Sequence, residues 1–166
     1  VIMNRIYADI LMDARKFDEA IEQYHKAIDL DPHFPTTHYF LGRAYEAKGM
    51  FDQAVEEYSQ NALAGRVPPQ EVQKMKDVYV KSGWKAYVQA NLDRLLAAPP
   101  QSATPSFVIA GVYARLGRKE EALALLEQSY AERDFRMTLI SVVFEFDSIR
   151  SDPRFKELVR RLGLPE

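Results

Sequence analysis

The sequence predicts an all-α fold, with about four stacked pairs of antiparallel helices closed by a C-terminal capping helix. Two observations carry this prediction. Small residues, tyrosines and glycines recur every 34 positions, and a fixed period of that length marks a repeated supersecondary unit. Between the stop signals, apolar residues return at i, i+3 and i+4, the spacing of one helix face. An apolar fraction of 47% over 166 residues is enough to bury a core.

With units starting at Val1, Pro35, Pro69 and Ala103, the columns line up. Ala8, Gly42 and Ala110 share one column, with Lys76 the exception, and Ala20, Ala54 and Ala122 share another, with Val88 the exception. Small residues at these places let the two helices of a pair approach closely. Leu11, Tyr45, Tyr79 and Tyr113 form a column of large fillers between layers, and Tyr24, Tyr58, Leu92 and Leu126 form a second large column. Arg15, Gly49, Gly83 and Gly117 fall where each first helix must stop, and glycine tolerates the left-handed backbone that ends helices. Pro32 and Pro100 mark unit ends.

Taken in order, the pairs are expected at 2–14 and 18–30, 35–48 and 52–63, 70–82 and 84–97, and 104–116 and 119–132. Ile21, Tyr24, Ala27 and Ile28 make an apolar face opposite Glu22, Gln23, Lys26 and Asp29. Ala54, Val55, Tyr58 and Ala62 repeat it, as do Ala122, Leu123, Leu126 and Tyr130. Thr104 before Pro105 is read as an N-cap and first-turn signal. The run Met137 to Phe146 has strand propensity, but a lone strand has no partner in a helical array, so a short helix is expected. Asp152 caps a final helix that opens with Pro153, turns Phe155, Leu158, Val159 and Leu162 inward and stops at Gly163. Residues 1–136 are thus the repeats (1–34, 35–68, a degenerate 69–102, and 103–136), and 137–166 the capping segment that a terminal repeat requires.

Units 1–34, 35–68 and 103–136 resemble tetratricopeptide repeats (TPR). Leu41-Gly42-x-x-Tyr45 followed by Gly49-x-Phe51-x-x-Ala54 is the clearest copy; unit 69–102 departs from it at Lys76 and Val88. The tail, from Ser151-Asp152-Pro153-Arg154-Phe155 to Arg161-Leu162-Gly163-Leu164-Pro165, is similar to the end of TPR regions in bacterial signalling proteins, among them winged-helix transcriptional regulators, Ser/Thr kinases and adenylate cyclases. The resemblance implies a right-handed superhelix that binds a protein or peptide in its groove, without catalysis or cofactor. It places Arg5, Asp9, Met12, Tyr39, Arg43, Glu46, Gln73, Lys74, Asp77, Phe107 and Arg115 on the inner wall. In relatives that grip chaperone C-termini, a two-carboxylate clamp occupies the places held here by Arg5, Asp9, Phe40, Gln70 and Lys74. Asp9 would repel a carboxylate and Phe40 cannot donate a hydrogen bond, which argues against that function.

Other chemistry finds little support. Net charge is −2 and the pI about 6.0, whereas a nucleic-acid surface needs an excess of Lys and Arg. Spanning a bilayer takes about 18 or more apolar residues in a row, and no such run exists. Cysteine is absent. His25, His33 and His38 do not form a metal-ligand spacing. No glycine pair has a phosphate-loop pattern and no serine a nucleophile-elbow pattern. Glu56-Glu57 and Glu120-Glu121 are read as solvated outer-face carboxylates near helix starts. The basic residues Arg150, Arg154, Lys156, Arg160 and Arg161 flank a helix whose apolar side serves the cap.

The expectation is a cytoplasmic interaction or regulatory module, joined to an N-terminal effector domain. The alternative is self-assembly, as a homodimer, through an open end or the convex face, with the apolar first helix (Ile2, Ile6, Ile10) as the sticky surface.

Overall fold

A computed structural model describes residues 1–32, 34, 36–99 and 104–164. His33, Pro35, Pro100, Ala103 and Pro165, to which the sequence reading gave roles, lie outside them. The described residues are helical, with no strand among them. They divide into two compact units, Val1–Trp84 and Lys85–Glu166.

The first unit holds α1 (Ile2–Asp13), α2 (Phe17–Leu30), α3 (Thr37–Ala47), α4 (Phe51–Ala64) and the first part of α5 (Pro69–Leu96). α1 packs on α2, α2 on α3 and α3 on α4. Ala8, Ala20 and Ala54 are fully buried. Gly42 is small by necessity, because a Cβ there would lie 2.8 Å from two ring carbons of Tyr58.

Three of the four stops in the column share one physical form. Arg15, Gly49 and Gly117 all have positive φ (63°, 72° and 75°). The next N–H in each case reaches back across the turn: Lys16 to the Leu11 carbonyl, Met50 to Tyr45 and Arg118 to Tyr113, at 2.8 to 2.9 Å. This Schellman closure satisfies carbonyls that the helix end leaves open. Gly83 interrupts α5 with φ 78° and ψ −175°, a region essentially reserved for glycine. Arg66 and Arg133, with φ 62° and 57°, end α4 and α7 with the same closure, Val67 reaching back to the Ala62 carbonyl and Asp134 to that of Ser129, both at 3.0 Å.

The second unit contains the rest of α5, then α6 (Ser106–Arg115), α7 (Lys119–Ala131), two 3-10 turns (Phe135–Leu139 and Phe144–Ile149) and α8 (Pro153–Arg161). Its core joins Phe107, Ala110, Ala122, Leu123 and Leu126 to Met137, Ile140, Phe146, Ile149, Phe155, Leu158 and Val159. The segment after α7 thus supplies much of the apolar cover for α6 and α7. As expected, Asp152 caps α8, its side chain accepting from the Arg154 N–H at 2.9 Å, and Gly163 ends it at φ 69°.

Two expectations need correction. Met137 to Phe146 is not one short helix but parts of two 3-10 turns joined by a bend. The reason is packing: tight turns at three residues each bring Met137, Ile140, Phe146 and Ile149 all inward. The Arg150 guanidinium holds the bend, donating to the carbonyls of Ser141 (2.6 Å) and Val143 (2.8 Å). Thr104 is not the cap of α6 either. Pro105 is extended (φ −55°, ψ 143°), helix begins at Ser106 and no side chain caps it.

Candidate partner-binding face

α1 and α3 are the first helices of successive pairs, so their outward residues share a face in the first unit. Its centre is Phe40. The Arg5 guanidinium from α1 lies 5.5 Å from the Phe40 ring centroid and that of Arg43, one turn along α3, lies 5.8 Å from it. Both are within cation–π range. Tyr24 stacks on Phe40 (centroids 6.4 Å apart), and Tyr39 meets Phe40 edge-on at 5.4 Å. Tyr39 also leans on Tyr58 at 5.8 Å. Two arginines and the rings of Tyr39, Phe40 and Tyr58 therefore form one connected patch, with Tyr24 buried against Phe40.

Carboxylates fix its underside. Arg5 donates to Asp9 at 2.7 Å, and the Tyr24 hydroxyl donates to the other Asp9 oxygen at 2.7 Å. Burial holds the Asp9 carboxyl above its ordinary range, against the Tyr24 bond and the charges of Arg5 and Arg43. Burial, reinforced by Asp9, likewise pushes the Tyr24 phenol up, so it remains a donor at neutral pH. One repeat on, the Tyr58 hydroxyl donates to Glu46 at 2.8 Å. Tyr24 and Tyr58, one period apart, each reach from a second helix to a carboxylate on the first helix of their own pair.

The structure thus brings together Arg5, Asp9, Tyr39, Arg43 and Glu46. Tyr39 is exposed at the surface; Glu46 is buried beneath Tyr58. Met12 and Phe107 were expected on the inner wall but are core residues. Met12 belongs to the buried side of α1, and Phe107 meets Phe146 edge-on at 5.2 Å inside the second unit. Gln73, Lys74 and Asp77 are exposed on α5, where Gln73 donates to Asp77 (2.9 Å) and Lys74 to Glu71 (2.7 Å). Arg115 is partly buried in α6 of the second unit.

Phe40 was the residue sequence reasoning passed over. It was weighed only as a misfit for a carboxylate clamp, yet its spacing from Arg43 (i, i+3) was a readable sign of a shared helix face.

Of the glutamate pairs, Glu56, Glu120 and Glu121 are accessible to solvent as expected, and Glu57 departs from expectation. Glu57 is partly buried and meets His38 Nδ1 at 2.7 Å, while His38 Nε2 faces the Pro32 carbonyl at 3.3 Å. Glu56 accepts from Lys76 at 2.7 Å, which shows where the bulky Lys76 of the small-residue column points. Glu120 accepts from Arg154 and Glu121 from Arg118. Adjacent residues on a helix diverge by about 100°, so each member of a pair finds a different neighbour. His25 Nε2 meets the Tyr45 hydroxyl at 2.9 Å. Among the described residues, no group of three His, Asp or Glu is placed to hold a metal ion. No helix there is long and apolar enough to cross a membrane.

The fold and this face define a helical-repeat scaffold. Three matches to family profiles agree: a TPR repeat over residues 8–49 and tetratricopeptide repeats over 37–69 and 89–136. The chain belongs to the tetratricopeptide repeat family, whose repeats generally mediate protein–protein interaction and form a typically non-catalytic scaffold. No curated protein and no solved structure matches the chain.

Proposed function

We propose that the face formed by α1 and α3 is where this chain holds a protein partner, as an extended segment or a helix laid across Phe40. The observation that carries this reading is the arrangement of Arg5, Tyr39, Phe40 and Arg43 in one connected patch. Tyr and Arg are enriched among residues that dominate binding energy, because each offers a large rigid contact with polar ends. Here the side chains are held before a partner arrives, which lowers the ordering cost of association. Gln73, Lys74 and Asp77 on α5 extend the proposal to a polar rim. The resemblance of the C-terminal tail supports a place in a cytoplasmic signalling or transcription-regulatory protein, with the effector domain N-terminal to the repeats.

The test is affinity capture from a lysate of the source organism, with wild-type bait beside a Tyr39→Ala, Arg43→Glu double variant. A protein retained by wild type and lost with the variant supports the face. Equal retention by both baits refutes it, provided circular dichroism shows the variant folded.

A further inference from the structure

We propose that a second site, sharing no residue with the face at Phe40, takes a lysine side chain of a protein partner. It is an open cleft of about 410 Å³ in the first unit, lined by Phe51, Asp52, Tyr79, Val80, Gly83 and Trp84. Phe51 and Trp84 stack with centroids 4.6 Å apart, and the Tyr79 hydroxyl donates to Asp52 at 2.6 Å. Asp52 and Val80 are exposed, so the mouth of the cleft sets a carboxylate beside apolar and aromatic surface.

The repeat itself shows what such a place receives. One period earlier, Asp52, Tyr79, Ser82 and Trp84 correspond to Asp18, Tyr45, Lys48 and Met50. Asp18 and Asp52 are each the second residue of their helix, α2 and α4. There the Lys48 ammonium, from the end of α3, lies on the Asp18 carboxylate. One period later, Arg118 stands in the column of Trp84, and its guanidinium lies 4.6 Å over the ring of Tyr113, the counterpart of Tyr79. Each neighbouring copy thus brings a cation of this chain to the carboxylate or to the tyrosine.

The middle copy keeps both acceptors and loses both cations. Ser82 stands for the lysine and Trp84 for the arginine, and among the described residues Asp52 has no ion pair. A lysine brought from outside restores the contact. Its ammonium meets Asp52 while its methylene stem lies along Val80 and the aromatic wall, the way a lysine covers apolar surface and keeps its charge in water. Tryptophan is the ring that attracts a cation best. Proteins are the partners that such repeats generally engage, and a lysine on a protein segment is the cation that matches Lys48 in reach and charge.

Trp84 is the one tryptophan of the chain, so tryptophan fluorescence reports this cleft directly. N-acetyl-lysine amide, titrated at constant ionic strength, is expected to change it saturably. The dissociation constant should be on the order of tens of millimolar, the strength of one exposed ion pair with one cation–π contact. The uncharged N-acetyl-norleucine amide should leave the signal unchanged. Asp52→Asn keeps an acceptor for the Tyr79 hydroxyl and should weaken lysine binding about threefold to fivefold. Ser82→Lys supplies the cation from within, as Lys48 does at Asp18, and should remove the response to the probe. Asp52 and Ser82 are both exposed, so circular dichroism should show both variants folded. No saturable response to the lysine probe, or an equal response to norleucine, overturns the proposal. Undiminished binding by folded Asp52→Asn overturns it as well, because the carboxylate is then not what holds the ammonium.

Discussion

Single residues carry much of the fold, and their roles can be separated by substitution. Gly42→Val forces a branched side chain into the Tyr58 ring; overpacking of this kind costs about 1–3 kcal/mol, read as a lower denaturant midpoint. The stops behave differently, because nothing lies within 4 Å of a Cβ built at Gly83. There the cost of Gly83→Ala is backbone strain alone, about 1–3 kcal/mol. Arg15 stands in the same column with the left-handed backbone but without glycine's freedom. Arg15→Gly is therefore expected to stabilise the chain by about 0.5–1 kcal/mol, measured by urea unfolding. Asp152 gives a pH signature. The Arg154 backbone N–H first, then Lys119 and Arg154, hold its carboxyl down to about 2, against an ordinary 3.8. Its contribution is thus fully present above pH ~4 and is lost as pH falls through about 2. Asp152→Ala should lower the melting temperature at neutral pH and flatten that acid limb, whereas an unchanged acid limb would mean Asp152 is not held as described.

Helices were legible wherever one spacing dominated. The 34-residue columns placed the helices from α1 to α7 to within a few residues, because small residues, Schellman stops and apolar faces all answer to local geometry. What the sequence hid was set by tertiary packing. Val142 and Val143 favour strands by propensity, yet α6 and α7 needed an apolar cover and two 3-10 turns provide it. Pro105 looked like a first-turn proline, but its extended backbone delays α6 by a residue. Arg150 was read as one charge in a basic tail, whereas it clamps the bend between the turns. Charged donors to backbone carbonyls contribute about 1.5–3 kcal/mol, and Arg150→Ala should cost an amount toward the lower end of that range. Faster hydrogen exchange confined to residues 135–150 would show that the loss is local to this element.

For the whole chain, the class of function was more readable than its site. The repeat and the lack of catalytic patterns pointed to an interaction scaffold, and the family matches agree with that. The family resemblance pointed to Arg5, Tyr39 and Arg43, which the structure gathers around Phe40. The same resemblance put Met12 and Phe107 on the inner wall when both are buried. A place in the repeat gives the direction of a side chain but not what packs over it. It also missed the partly buried bonds from Tyr24 to Asp9 and from Tyr58 to Glu46, which depend on the spacing between two helices. The central claim, that α1 and α3 form the partner-binding face, is tested most directly by amide hydrogen exchange of the chain with and without its captured partner. The account predicts new protection concentrated in α1 and α3, around Arg5, Tyr39, Phe40 and Arg43. Protection confined to α7, α8 and the turns between them, with α1 and α3 unchanged, would contradict it.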